Sequence, residues 1–146
     1  MRRCDRGLER YLEAQEPVFG RVIEELRRGR KTSHWMWFIF PQIKGLGRSA
    51  TAEFYGLECL DEARAYAAHA VLGPRLRLAT ELVNATGERS ISEILGSPDD
   101  LKFCSCMTLF ARAYRDNGGD PDPFIRALDK YFAGRPDPLT LARLPP

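Results

Sequence analysis

The chain of 146 residues has room for one domain, and a domain of that length buries roughly 70% of the surface its unfolded form exposes. Its 44% hydrophobic and 29% charged residues argue against global disorder. A net charge of +2 lacks the strongly basic balance of a nucleic-acid binder, so nucleic acid is not an expected partner.

The opening MRRCDRGLER is basic but has no apolar run behind it, so no signal peptide is expected, and a short helix is read around Asp5–Glu13. In EPVFGRVIEELRRG, Val18, Phe19, Val22, Ile23 and Leu26 recur at helical spacing. Pro17 suits the first turn and Gly29 a left-handed stop. The next stretch, GRKTSHWMWFIFPQIKGLGRS, sets six large apolar residues, Trp35 to Phe40, between Arg27, Arg28, Arg30 and Lys31 on one side and Lys44 and Arg48 on the other. Pro41 ends the run far short of the ~20 residues of a membrane span, so no membrane partner is expected. One or two helical turns capped by Ser33, or a buried strand, would suit WMWFIF. Ser49 or Thr51 then caps a helix around AEFY.

Further along, Asp61 caps EARAYAAH, whose Ala63, Tyr66, Ala67 and Ala70 form a stripe that permits close packing. Gly73-Pro74 opens PRLRLATELVNA, and Gly87 closes it. Ser90 and Glu93 form a capping-box pair for a short helix ending at Gly96. A longer helix runs from about residue 98 to 117, before Gly118-Gly119. Asp122-Pro123 starts FIRALDKYFAG, and Asp137-Pro138 a last turn. No segment alternates with period two beside a hairpin turn. The expected fold is all-α: a single compact multihelical domain spanning 1–146, with the helix at 98–117 buried at its centre.

That helix carries apolar side chains nearly all round its axis, yet Lys102, Ser105 and Thr108 fall within an arc of about 120°. The strip either meets acidic groups and its own backbone carbonyls or lines a polar cavity. In the aromatic stretch, a helix start at Ser33 would leave the N–H groups from His34 to Met36 as donors for a phosphate or carboxylate, with Arg30 and Lys31 just upstream. Trp35 and Trp37 lie about 200° apart on a helix, so one enters the core and the other lines a pocket or interface. Gln42 could read a heterocycle edge or tie down the loop. Gly45 and Gly47 suit close backbone approach but match neither a P-loop nor a dinucleotide fingerprint. Residues 21–48 hold seven basic side chains against two acidic, whereas residues 49–100 hold nine acidic against four basic, which marks one locally positive region. Cys4, Cys59, Cys104 and Cys106 lack zinc spacing and are read as reduced thiols. No metal and no cofactor are expected, and a cytoplasmic location is. No catalytic signature is present, and His34 is the candidate acid-base.

Together GRKTSHWMWFIFPQIKGLGRS, EARAYAAHAVLGPRL and DDLKFCSCMTLF resemble the bacterial and fungal family known as domain of unknown function 1810, from Ala14-Gln15 to Phe110. Gly29, Arg30, Lys31, His34, Trp35, Met36, Trp37, Pro41, Gln42, Gly45, Gly47, Ser49, Gly73, Arg75, Leu76, Lys102, Ser105 and Thr108 match its motifs, while Cys106 stands where a smaller residue is expected. The resemblance implies an all-helical fold and, for bacterial members, the cytoplasm; it brings no activity. A calpastatin label attached to some members describes disordered repeats, unlike this chain.

The site expected from these residues is a pocket for an anionic, nucleotide-like or phosphorylated small molecule, between Arg30, Lys31, His34, Trp35, Trp37, Gln42, Gly45, Gly47 and Ser49 and the strip Lys102, Ser105 and Thr108. Whether it catalyses a reaction stays open. The alternatives are an aromatic surface that docks a partner protein or a second copy, and a purely structural core.

Overall fold

The computed structural model describes residues 7–146. Among them are ten helices: α1 Glu9–Gln15, α2 Phe19–Arg27, α3 Met36–Ile39, α4 Ala50–Tyr55, α5 Leu60–Ala68, α6 Leu72–Asn84, α7 Ile91–Leu95, α8 Asp99–Asp116, α9 Asp122–Phe132 and α10 Pro138–Ala142. No strand occurs among the described residues, and an isolated parallel bridge joins Ile43 to Leu57. Among the described residues no helix is long and apolar enough to cross a membrane. The all-α reading and the central helix are both found. The expected helix start at Asp5 lies outside the described residues.

Helix α8 is the hub because apolar residues surround its axis. Phe103, Cys106, Met107, Leu109 and Phe110 are inaccessible or nearly so, and α5, α7, α9 and α10 all pack against it. Its aromatic rings join the rest of the core. Phe103 meets Phe40 edge-on at 5.0 Å, and Phe110 lies 5.2 Å from Tyr66 and 6.4 Å from Phe124. Helix α6 bridges α2, α5 and α9. The small-residue stripe lets α5 and α6 close up: a Cβ at Gly73 would stand 2.3 Å from the Ala67 carbonyl oxygen, so glycine alone fits there.

Side-chain caps start three of these helices. Ser49 accepts from the Ala52 N–H, Ser90 and Glu93 form the reciprocal box, and Asp137 accepts from the Thr140 N–H. Gly29 takes φ +76 after α2, as its stop position requires. Two expected caps are corrected. Cys59, not Asp61, precedes α5, and Asp61 instead pairs with Arg64 at 2.9 Å one turn on. Ser33 does not cap α3, whose first residue is Met36 after Trp35.

The six-residue apolar run has a divided role. Trp35, Met36, Ile39 and Phe40 are in the core, while Trp37 and Phe38 are half-buried. Gln15 of α1 holds this block from below: its Nε2 donates to the Phe38 carbonyl at 2.8 Å and to the Tyr66 hydroxyl at 3.0 Å.

Candidate ligand cleft

The reason Ser33 fails as a cap is Glu25. On α2 this residue falls in register with Val22 and Leu26, so its side chain is carried to the buried face and is only 3% exposed. A buried carboxylate must be satisfied. Glu25 Oε1 accepts from the Thr32 N–H (2.8 Å), the Ser33 N–H (3.0 Å) and the Trp35 indole Nε1 (2.9 Å), and Oε2 accepts from the Ser33 hydroxyl (2.6 Å). Burial alone would push this carboxyl up. The hydrogen bonds from Ser33, Thr32 and Trp35 outweigh it and hold the group at about 2. The donors just before α3 thus face a carboxylate of the chain itself, and Trp35 is the tryptophan that enters the core.

The second half of the expected site does come together. Lys31 Nζ lies 3.0 Å from Asp99 Oδ2, and Lys102 Nζ lies 3.6 Å from Asp99 Oδ1, so one carboxylate at the start of α8 serves two lysines. Lys31 sits 5.2 Å over the Trp35 ring and Lys102 5.5 Å over the Trp37 ring. The basic approach and α8 are therefore neighbours through Asp99, although some seventy positions apart.

Lys102, Gln42 and Gly47 stand where two hollows meet. The smaller, walled by Met36, Trp37, Phe40 and Tyr55, holds about 10 Å³, room for roughly one water. The larger is a cleft of about 700 Å³ between the start of α8, the Gln42–Gly47 loop and the segment from Tyr131 to Leu139. Its wall is mostly apolar, from Leu46, Leu101, Phe132 and Leu139 with three prolines. Sequence reasoning missed this far wall. The signal for it was the cap: Asp137 was legible as an N-cap, but not the long-range partners that seat it on α8.

Those partners are the strip hydroxyls. Ser105 Oγ donates to Asp137 Oδ2 at 3.1 Å, and Thr108 Oγ1 accepts from the Asp137 N–H at 2.8 Å while donating to the Cys104 carbonyl, also at 2.8 Å. Asp137 Oδ2 also accepts from the Thr140 N–H and hydroxyl at 2.9 and 2.6 Å. Ser105 is in the cleft wall; both hydroxyls serve mainly to clamp α10 to α8.

The remaining candidates are dispersed. Arg30 and His34 are exposed and do not line the cleft. Ser49 is a helix cap. Gly45 has φ +101, and its carbonyl accepts from the Arg143 guanidinium at 3.3 Å, while a Cβ at Gly47 would stand 2.6 Å from that of Ala52.

The cleft contains one thiol, Cys104. Burial, then the nearby Asp137 charge, pushes it up to about 11, so it stays protonated and a poor nucleophile near neutrality. The expectation of reduced thiols needs one correction: Cys104 and Cys106 are free, but Cys59 is disulfide-bonded. Cys4 lies outside the described residues. No group of three or more His, Cys, Asp or Glu able to hold a metal occurs among the described residues.

Sequence comparison matches residues 5–144 to a family described as protein of unknown function (DUF1810). The chain belongs to the DUF1810 family. A solved DUF1810-like structure is that of the conserved hypothetical protein Rv1873 from Mycobacterium tuberculosis, 54% identical, with a TM-score of 0.89 over 94% of this chain and 95% of that one. No curated protein matches. Rv1873 is thus similar to this DUF1810 chain along nearly its whole length.

Proposed function

We propose that this DUF1810 protein binds an anionic small molecule in the cleft beside Lys102. The observation that carries the reading is Lys102 in the wall of a 700 Å³ hollow, sharing its Asp99 counter-charge with Lys31, which lies behind it. Asp99 is closer to Lys31 than to Lys102, which leaves the Lys102 ammonium incompletely neutralised on a residue that lines both hollows. A ligand acceptor group reaching Lys102 gains a charge-assisted hydrogen bond at little cost in lost pairing. Gln42 adds an amide on the same side. Phosphate esters and carboxylates both fall within this class, and no reaction is assigned.

A thermal-shift screen of anionic metabolites checks the proposal. A ligand at about 100 times its Kd adds about 2.7 kcal/mol of stability, a rise of several degrees for a domain of this size. The same compounds should shift Lys102→Met clearly less. The proposal fails if no anion at millimolar concentration shifts the wild type.

A second reading, a docking module, draws on Leu101 and Leu139, which are 64% and 65% exposed beside the cleft. Sedimentation of the wild type against Leu101→Ser, Leu139→Ser tests it for a second copy: a dimer abolished by the substitutions supports that reading, and a monomer at all concentrations removes self-association.

A further inference from the structure

Charge and wall chemistry narrow the ligand. We infer that the cleft takes a free monocarboxylate with an extended apolar body, rather than a nucleotide or another phosphate ester. The inference rests on the cleft being the anion site proposed above.

Charge decides first. The charged groups that line the cleft are Lys102 and Arg135 against Asp137, while Lys31 and Asp99, which pair at 3.0 Å, stand outside its wall. Two cations against one carboxylate leave one net positive charge in the lining. A single carboxylate matches it, whereas a phosphate monoester brings about −1.5 to −2 at neutral pH, and a nucleoside diphosphate more. The excess would sit near Asp99 and Asp137 without a partner, in a partly desolvated setting where unpaired charge is costly.

Shape decides next. A nucleobase finds no room to stack on Trp37, because Lys102 covers one side of that ring and the hollow beside it admits roughly one water. The room is in the other direction, along Leu101, Phe132 and Leu139. There, apart from the exposed Arg135 guanidinium, the polar atoms are largely committed. Ser105 donates to Leu101 and Asp137, and three donors meet Asp137 Oδ2. The Cys104 thiol, protonated, faces the Arg135 carbonyl at 3.8 Å. A sugar hydroxyl would find few partners on this wall, whereas an alkyl or aryl chain covers it and displaces water. The occupant therefore places its carboxylate at Lys102 and Gln42 and its body toward α10.

Calorimetric titration with four probes tests this: octanoate, octyl phosphate, octanol and AMP. Octanoate should bind the wild type at least about tenfold more tightly than octanol or AMP, and no more weakly than octyl phosphate. Lys102→Met should weaken octanoate at least about tenfold without altering octanol. Leu139→Ala, at an exposed position that the fold does not need, should weaken octanoate and octanol alike. Tighter binding of octyl phosphate or AMP than of octanoate, each lost in Lys102→Met, overturns the monocarboxylate and leaves the anion site standing. Equal binding of octanol and octanoate, or no binding by any anion, overturns both.

Discussion

Around Glu25, donors from residues 32, 33 and 35 converge on one carboxylate that the chain supplies from its own α2. Around Lys102, two lysines share one carboxylate and the cleft beyond is open. Both regions draw on the stretch between α2 and α3, and both are rich in groups that attract an anion. The difference is internal neutralisation. A cluster of donors that folds onto a buried acid is a structural joint, and on the proposal above a cluster whose cations outnumber its acids is a site. Donor density in sequence does not distinguish the two; the position of the counter-charge does.

Removing the internal anion should give the largest effect. Glu25→Ala leaves the Thr32, Ser33 and Trp35 donors buried without a partner, and a loss of about 3–5 kcal/mol is expected in urea unfolding. The pH dependence follows from the same group. Its folded value of about 2 lies below the ordinary 4.5, so its contribution to stability is complete above pH 4.5 and is lost as pH falls through about 2. That contribution is of order 3 kcal/mol. Glu25→Gln should flatten the stability profile across this window; an unchanged acid limb would show that Glu25 is not held as described.

Trp35→Phe sharpens the comparison by deleting one donor and keeping the ring near Phe40. The indole bond is to a charged acceptor, and about 1.5–3 kcal/mol should be lost. The open region behaves differently. Asp137→Ala removes the α10 cap and its Ser105 bond, costing about 1–2 kcal/mol, with faster amide exchange confined to residues 138–142 and weaker ligand binding. Lys102→Met should change stability least, by no more than about 1 kcal/mol, because its pair with Asp99 is long and partly solvated. A Lys102→Met variant as unstable as Glu25→Ala would erase the distinction between joint and site.

Much of the fold was legible because it rests on local chemistry. The box at Ser90 and Glu93, the cap at Asp137, the stop at Gly29 and the all-round apolarity of α8 are written within a few residues each. The expected meeting of the aromatic block with α8 is realised through Asp99 and the Phe40–Phe103 contact. The role of Ser33 was not legible, because its competitor Glu25 lies eight residues upstream and on another helix. One clue was present: an acid in phase with Val22 and Leu26 cannot face solvent. The far wall of the cleft stayed hidden for the same reason, since Ser105 and Thr108 meet Asp137 only after some thirty residues of intervening chain. Local hydroxyl chemistry allowed either a polar cavity or bonds to acidic groups and backbone carbonyls, and the contacts with Asp137 make it chiefly the second.

The most direct test is an amide NMR titration of the wild-type protein with octanoate. The account predicts shifts confined to the first turns of α8, the Gln42–Gly47 loop and residues 131–139, while the amides of Thr32, Ser33 and Trp35 stay in place. Shifts centred on residues 32–36, or none anywhere at saturating ligand, would contradict it.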